Sequence, residues 1–342
     1  MGYNDGKNEQ LPKNVESYWR DSVELPKFPT LEKDLSVDVV IVGGGITGLT
    51  SAYLLVNEGL KVAVLEAGKL LNGTTGHTTA KITAQHGMIY DEFMHNFGTN
   101  KAKLYYEANA EALRFMKETI EKNQIDCEFS MQDAYLYAST EEYASKIEKE
   151  ADAYQQLGID GGLVDRIPFD IDIKKALVMK DQAQFHPLKY LVYLIQVITK
   201  KGGLIFEDTT CVNVETGERP AVLTRRGSKV QGEYILSCSH FPFYEGAGLY
   251  STRMHADRSY VLAAQTKKPY PGGMYCNVEE PARSLRSVTI NGQEAVLIIG
   301  ENHKTGQGKD TMEYYKSLET FGEDVLGLES ILYRWSAQDL VT

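Results

Sequence analysis

Three adjacent glycines, Gly43, Gly44 and Gly45, with Gly48 three residues further on, form the pattern in this sequence that is best suited to binding a cofactor. In such a pattern the first glycine permits a tight turn, and Gly45 lets the backbone approach a pyrophosphate closely. Gly48 allows a helix to pack close to a sheet. Each of these roles requires the absence of a Cβ atom, so the spacing predicts a dinucleotide-binding turn.

The elements around the glycines are those that such a turn requires. Val37–Val42 is a short, β-branched apolar run, typical of a buried parallel strand, and Ile46–Glu58 is predicted as a helix. Val62–Leu65 is predicted as the second strand of a βαβ unit. The helix starts with Ile46 and Thr47, so its first amide groups and the positive end of its dipole are expected to face the phosphates.

Glu66 lies 18 residues beyond Gly48, where the second strand ends, and Ala67 follows it. A carboxylate at this place can accept hydrogen bonds from a ribose diol, and it disfavours a 2'-phosphate by charge repulsion. NADP is therefore not expected as the ligand. The glycine pattern alone does not decide between FAD and NAD.

Composition limits the function classes. The chain has 342 residues, enough for two lobes, and 36 Lys and Arg residues against 47 Asp and Glu residues give a net charge of -11. This charge argues against nucleic acid as a partner. The apolar runs are shorter than the roughly 20 residues that span a bilayer, so no membrane span and a cytoplasmic location are expected. The four cysteines show no spacing of a metal site.

Beyond the second strand, the chain does not continue the alternation of strands and helices that an NAD dehydrogenase favours. It enters the Gly/Thr-rich stretch "NGTTGHTTAKITAQ" and then two stretches with helical periodicity, Tyr90–Asn123 and Glu141–Leu157. A helix is predicted after Pro187, and alternating polar and apolar residues after Phe241 predict an antiparallel sheet.

This organisation resembles the FAD-dependent oxidoreductases of the D-amino-acid oxidase and glycine oxidase family over nearly the whole chain. The segments that carry the resemblance are "DVVIVGGGITGLTSAYLL", "VLEAGKLLNGTTGHTTAK", "QFHPLKYL", "TTCVNVE" and "YILSCSHF". The stretches "HTTAKITAQHG" and "HFPFY" look more narrowly like a bacterial subgroup whose members carry a Rieske iron–sulfur domain after the flavoprotein.

The resemblance implies FAD as the cofactor, with the Gly/Thr loop beside its pyrophosphate and reaching toward the flavin ring. A solvated surface loop is the alternative, and a solvent-exposed histidine is the alternative for His77. Val212 matches a family valine whose backbone groups face the adenine, and a buried strand valine is the alternative there. The loop residues expected at the cofactor are Gly73, Thr74, Thr75, His77, Thr78 and Thr79.

The expected fold is α/β (α+β overall): a Rossmann-like FAD/NAD(P)-binding domain with an inserted antiparallel-sheet substrate domain. Residues 1–30 are predicted as an N-terminal arm. The predicted cofactor domain comprises residues 31–90 and 175–240, with 330–342 added, and the substrate domain comprises 91–174 and 241–329.

The expected activity is oxidation of an amine or amino-acid-like small molecule by hydride transfer to flavin N5. An iron–sulfur partner or oxygen would then take the electrons. A substrate carboxylate favours a bidentate arginine, and the leading candidates are Arg258, Arg286 and Arg334. The alternatives are a catalytically silent FAD-binding fragment and an NAD-dependent dehydrogenase.

The sequence departs from the family pattern at its end, "YRWSAQDLVT". Family members continue with a strand, a glycine-rich turn and a helix that faces the flavin, and the subgroup continues with the Cys-x-His motifs of a Rieske domain. From this departure we predict that the chain is C-terminally truncated and has little activity on its own.

Overall fold

A computed structural model describes residues 16–245 and 248–341, so residues 1–15 of the predicted arm lie outside the described part. The α-helices of these residues are α1 Tyr18–Asp21, α2 Ile46–Asn57, α3 Tyr90–Phe97, α4 Thr99–Asn123, α5 Glu141–Leu157, α6 Pro187–Lys200 and α7 Thr311–Leu326. The strands are β1 Leu35–Ser36, β2 Val39–Val42, β3 Val62–Leu65, β4 Lys81–Ile82, β5 Ser130–Ala138, β6 Gly161–Val164, β7 Lys175–Gln184, β8 Leu204–Phe206, β9 Cys211–Glu215, β10 Ala221–Thr224, β11 Lys229–Gln231, β12 Tyr234–Ser237, β13 His255–Thr266, β14 Met274–Asn277, β15 Arg283–Ile290, β16 Gln293–Lys304 and β17 Leu328–Val341.

A four-stranded parallel sheet carries the glycine turn. Its strand order is β12-β2-β3-β8, and every neighbouring pair is parallel. All residues of β2 and β3 are buried, which explains why both strands are continuous apolar runs in the sequence. The predicted Rossmann-like unit is therefore confirmed, with α2 connecting the two central strands.

A nine-stranded, mostly antiparallel sheet forms the larger half of the fold. Its order is β17-β13-β16-β15-β14-β5-β7-β4, with β6 paired to β7. α7 packs on one face of its long strands, where Leu318 and Tyr315 meet Tyr260 and Leu262. The opposite face of β13 and β16 contributes Val261 to the core shared with α2 and α6.

The chain passes between the two sheets several times. It leaves the parallel sheet after β3, builds α3 to α6 and part of the large sheet, and returns at β8. A third sheet, β1-β11-β10-β9, is a small four-stranded layer beside the parallel sheet. The sequence predicted that the parallel sheet is interrupted after Leu65, from the loop and the helices that follow this residue.

Two details differ from the prediction. The helix predicted over Tyr90–Asn123 is two helices, because Gly98 between them has a positive φ of 83°. The strands β7 and β17 lie in the nine-stranded sheet, although the prediction places residues 175–240 and 330–342 in the cofactor domain. The division into two domains itself stays a prediction.

Both tryptophans of the chain lie in the core that joins the halves. Trp19 of α1 and Trp335 of β17 are fully buried, and their rings meet edge to face at a centroid distance of 6.4 Å. Among the described helices, none is long and apolar enough to cross a lipid bilayer.

Candidate cofactor site

A cleft of about 700 Å³ lies where the two sheets approach each other. Its parallel-sheet side, as we name it, consists of the glycine turn and the ends of the strands: Val42, Gly43, Gly45, Ile46, Thr47, Leu65, Glu66 and Ala67. Its large-sheet side consists of Ala80, Lys81, Ile82, Thr83, Asn109, Ala112, Leu113, Met116, Phe185 and Pro187. The remaining lining comes from Leu71, Gly73, Thr74, Thr75, Thr78, Thr209, Thr210, Cys211, Cys238, Ser239, His240, Phe241 and Phe243.

The glycine turn leaves no room for side chains at two of its positions. Gly43 has a φ of 112°, and a Cβ atom there would lie 2.6 Å from the carbonyl oxygen of Cys238. A Cβ atom on Gly48 would overlap the carbonyl oxygen of Gly43, so Gly48 lies beneath the turn and not on the cleft surface. Gly45 lines the cleft, and its missing side chain leaves the backbone open.

The first turn of α2 is ready to bind an anion. Its N-cap is Gly45, without a side-chain cap, and its first turn contains no acidic residue. The Ile46 amide donates to the hydroxyl oxygen of Thr75 at 3.1 Å, so an oxygen acceptor from the Gly/Thr loop already lies at the helix start. Ile46 and Thr47 both line the cleft, and their binding of a phosphate stays a prediction.

Glu66 lies at the end of β3 and is held by backbone amides. One carboxylate oxygen accepts from the Gly44 amide at 2.8 Å, and the other accepts from the Gly68 amide at 2.9 Å. Each carboxylate oxygen keeps further acceptor capacity. Glu66 can therefore accept hydrogen bonds from a diol in the cleft without releasing the turn.

The Gly/Thr loop contributes four of its six predicted residues to the lining, namely Gly73, Thr74, Thr75 and Thr78. The Thr74 hydroxyl donates to the carbonyl oxygen of Gln338 at 2.9 Å, which ties the loop to β17. His77 is not part of the lining. Its ring lies 2.9 Å from the Gly73 carbonyl oxygen and 3.3 Å from the Glu16 carboxylate.

Two further predicted contacts do not line the cleft. The Thr79 carbonyl accepts a hydrogen bond from Arg286, and the residue is absent from the cleft surface. The Val212 side chain is 46% exposed on β9, so it is not the buried strand valine of the alternative interpretation. Its neighbours Thr210 and Cys211 line the cleft in its place.

The structure does not bring the three candidate arginines to the cleft. Arg258 donates to the Gln338 side chain at 3.3 Å, and Arg334 lies over the Tyr315 ring and donates to the sulfur of Met312. Both therefore project from the sheet face that α7 covers. Arg286 is buried, and its guanidinium donates to backbone carbonyl oxygens.

Lys81 is the one Lys or Arg side chain among the described residues that line the cleft. Its ammonium group donates to the Ser284 hydroxyl at 2.8 Å. Burial lowers the pKa of Lys81 below its ordinary value, and the charge of Arg286 acts in the same direction, while Cys276 opposes the shift. The cleft thus has Glu66 on its parallel-sheet side and Lys81 on its large-sheet side, and the Lys81 ammonium group lies against Ser284, which is not a lining residue.

Sequence reasoning missed the large-sheet side. Leu113 and Met116 form an apolar wall on α4, and Phe185 completes it just before α6. A helical periodicity shows only that α4 has an apolar face, and it does not show what the face meets. Lys81 lies within the segment "HTTAKITAQHG", so its position next to the loop was the available signal.

The sequence and fold were compared with known proteins. The family model of the FAD dependent oxidoreductases (DAO) matches residues 38–339. The "Putative Rieske 2Fe-2S iron-sulfur protein YhfW" of Bacillus subtilis (strain 168) is 51% identical over 336 residues, which cover 98% of this chain and 66% of that protein. The gamma-glutamylputrescine oxidoreductase of Escherichia coli (strain K12) is 24% identical over 233 residues, 66% of this chain and 54% of that protein.

Among solved structures, glycine oxidase from Geobacillus kaustophilus superposes with a TM-score of 0.73 at 16% sequence identity. The match covers 90% of this chain and 84% of the glycine oxidase chain, and it shows a shared fold. The chain spans about two thirds of the length of YhfW and about half of the Escherichia coli relative.

Proposed function

The chain belongs to the family of FAD dependent oxidoreductases, and from this premise we propose that it oxidises an amine or amino-acid-like small molecule with FAD held in the cleft. The observation that carries the proposal is the meeting of the glycine turn, Glu66 and the Gly/Thr loop on one cleft. The cleft's size falls within the roughly 300–1,000 Å³ of ligand pockets. Family membership favours FAD over the NAD alternative.

The residues on the parallel-sheet side fit the phosphates and ribose of FAD. The Thr47 amide would bind the pyrophosphate, and the Ile46 amide would join it on leaving the Thr75 hydroxyl. Glu66 would accept hydrogen bonds from the ribose diol. The fit rests on the missing side chain of Gly45, since a Cβ atom there would lie 3.1 Å from the Thr75 hydroxyl and fill part of the approach. FAD, when bound, supplies an acceptor for the hydride of an amine C–H bond.

The large-sheet side would hold and orient the substrate. Leu113, Met116 and Phe185 give that part of the cleft an apolar lining, and an apolar surrounding strengthens a charge interaction. We assign Lys81 as the group that binds a substrate carboxylate, in place of the arginines expected from the sequence. The Ser284 hydroxyl orients its ammonium group.

Two relatives support the substrate class. One is named for oxidation of an amine derivative, gamma-glutamylputrescine, and the structural neighbour is a glycine oxidase. Both names describe compounds with an oxidisable carbon next to nitrogen. An iron–sulfur partner as electron acceptor is supported by the name of YhfW, and oxygen is the other candidate.

The test is anaerobic reduction of the bound flavin. The purified protein is loaded with FAD and mixed with a panel of amino acids and secondary amines while the visible flavin band is followed. We expect bleaching by at least one carboxylate-bearing amine. Bleaching by dithionite but by no amine would contradict the proposed activity and favour the silent FAD-binding alternative, and an absence of FAD binding would contradict the cofactor assignment.

A further inference from the structure

The carbonyl oxygens of five consecutive loop residues accept hydrogen bonds from side chains outside the loop. The donors come from the segment around α1, from β15 and from β17. The bonds are Ser17 Oγ to the Gly76 oxygen, Trp335 Nε1 to the His77 oxygen at 2.9 Å, Trp19 Nε1 to the Thr78 oxygen at 2.7 Å, and Arg286 to the Thr79 and Ala80 oxygens at 3.1 and 2.6 Å.

These donors fix the orientation of the loop peptides. In a trans peptide unit the carbonyl oxygen of one residue and the N–H of the next point to opposite sides. A carbonyl that is bonded to a donor in the core therefore turns the next N–H away from that donor. Thr78 and Ala80 line the cleft on this loop, and a surface without outward carbonyl oxygens suits a ligand that carries negative charge.

Both tryptophans hold carbonyl oxygens of this loop. The chain contains two tryptophans, and their indole N–H groups donate to the neighbouring residues His77 and Thr78. Both rings are fully buried. An indole N–H that is removed from water needs a partner, so the two bonds hold the loop firmly in one orientation.

Arg286 holds the end of the same loop. Its guanidinium donates to three backbone carbonyl oxygens, those of Thr79, Ala80 and Ser287, and the residue is 2% exposed. Burial lowers the pKa of Arg286 to about 9, so the group remains protonated at neutral pH. Its positive charge lies directly behind the loop.

The segment around α1 is anchored independently of the loop. His186 Nε2 lies 2.9 Å from the Ser22 hydroxyl, which itself donates to the Tyr18 carbonyl oxygen. Burial lowers the pKa of His186 to about 3, so the ring is neutral at pH 7. Because Nδ1 accepts from the Lys189 amide, Nε2 carries the hydrogen and donates to Ser22. The His186 ring also meets Trp19 edge to face.

We propose that Trp19, Trp335 and Arg286 are positioning residues of the cofactor site, which turn the carbonyl oxygens of residues 77–80 away from the cleft and thereby preorganise the loop for FAD. The inference rests on the proposed binding of FAD in the cleft. This role gives a function to the segment around α1, whose bonds to the loop involve no residue of the parallel-sheet side. It also explains why Arg286 is unavailable to a substrate, since its guanidinium is bonded to the loop.

The test compares variants that remove one donor and keep the bulk. Trp19→Phe and Trp335→Phe retain an aromatic ring but lose the indole N–H. Tyr190→Phe is the matched control, because Tyr190 is buried in the same core and its hydroxyl has no hydrogen-bond partner among the described residues. Arg286→Lys keeps the positive charge, and its ammonium group does not reproduce the planar fork of the guanidinium.

We expect the Kd of FAD to be about tenfold higher for each tryptophan variant and for Arg286→Lys, a change that corresponds to about 1.4 kcal/mol of binding free energy. In the FAD-free proteins, hydrogen exchange of the peptide covering residues 74–81 should be faster in these variants than in wild type or Tyr190→Phe. Titrations are made at a temperature where circular dichroism shows every variant folded, so that a loss of stability alone does not change the FAD affinity.

Unchanged FAD affinity and unchanged exchange in the tryptophan variants would overturn the inference. If Arg286→Lys binds FAD as tightly as the wild type, the planar guanidinium is not needed to position the loop, and only the positive charge of Arg286 contributes to FAD binding. A wild-type protein that binds no FAD would contradict the proposed function, and the exchange measurement would still decide whether the donors hold the loop.

Discussion

The two sides of the cleft are built in different ways. The parallel-sheet side is made by the backbone of one continuous stretch, in which Gly43, Gly48 and Glu66 are fixed by local turns and amide contacts. The large-sheet side is made by side chains that arrive from separate elements, among them Lys81 of β4 and Met116 of α4. The parallel-sheet side is determined by a local sequence motif, and the large-sheet side is determined by the tertiary fold.

The difference has a functional consequence. A backbone cradle binds groups that many cofactors share, a phosphate and a ribose, and tolerates variation of the side chains around it. A wall of side chains is specific for shape and charge, so that side is the better place to distinguish substrates. We therefore expect substitutions on the parallel-sheet side to change FAD binding and those on the large-sheet side to change substrate binding.

The largest effect is expected for Gly48→Ala, which attacks the backbone cradle itself. The new Cβ atom would overlap the Gly43 carbonyl oxygen, and neither backbone segment can give way easily. Overpacking of this kind costs about 1–3 kcal/mol, and the distorted turn should weaken FAD binding by about 100-fold or more, two steps of roughly 1.4 kcal/mol. FAD titration and thermal unfolding measure the two effects.

Gly217→Ala is the control for this prediction, because Gly217 is exposed, has an ordinary φ and would carry a Cβ atom with no other atom within 4 Å. Gly217→Ala should bind FAD like the wild type. If Gly48→Ala also binds FAD normally, the close packing beneath the turn is not needed for the site.

The next effect is expected for Glu66→Gln, which keeps the shape of the side chain and removes its charge. The amide nitrogen of glutamine cannot accept from the Gly44 or Gly68 amide, and its hydrogen bonds to a diol lose charge assistance. Loss of such bonds costs roughly 1.5–3 kcal/mol, so FAD should bind about 10- to 100-fold more weakly. Riboflavin, which lacks the adenosine part, serves as the comparison ligand, and an equal loss for both would contradict the place of Glu66 at the ribose.

A moderate and selective effect is expected for Lys81→Met on the other side. The KM of a carboxylate-bearing amine should rise about tenfold, the loss of one charge-assisted hydrogen bond, while FAD affinity stays within about twofold. Lys103→Met, on the exposed surface of α4, is the control. A loss of FAD affinity without a change in KM would place Lys81 at the cofactor.

The pH dependence of the same interaction has a defined sign. Burial lowers the pKa of Lys81 from its ordinary value of 10.5, so the ammonium group loses its proton earlier than an exposed lysine. The KM of the carboxylate substrate should therefore rise with increasing pH, and the rise should come at a lower pH than the deprotonation of an exposed lysine. The rise should be absent in Lys81→Met.

The smallest effect is expected for Val212→Ala, which tests whether the FAD site extends along β9 beyond Cys211. The side chain is 46% exposed and lies outside the lining, so FAD affinity should change by less than about twofold, within the ±0.5 kcal/mol typical of surface positions. A tenfold loss would show that the adenine reaches β9 beyond Cys211.

The sequence was informative where one local stretch determines the structure. The turn at Gly43, the start of α2 at Ile46 and the position of Glu66 after β3 all depend on neighbours within about 30 residues, which is the length of a βαβ unit. The interruption after Leu65 was also visible, because glycine and threonine do not continue the alternation of strands and helices.

The sequence was much less informative where distant elements meet. Nothing in the spacing of Arg258, Arg286 and Arg334 shows which sheet face each occupies, and strand register decides it: Leu262 opposite Arg334 and Arg258 opposite Gln338 place two of them under α7. The sheet to which β7 and β17 belong was likewise beyond prediction, because a pairing partner cannot be deduced from a single strand.

The most direct test of the account is the footprint of FAD on the wild-type protein, measured by amide hydrogen exchange with and without saturating FAD. The account predicts slower exchange in residues 43–48, 73–83 and 209–211, with smaller changes on the far face of the large sheet under α7. Protection confined to other segments, or none in the glycine turn and the Gly/Thr loop, would contradict the assignment of this cleft as the FAD site.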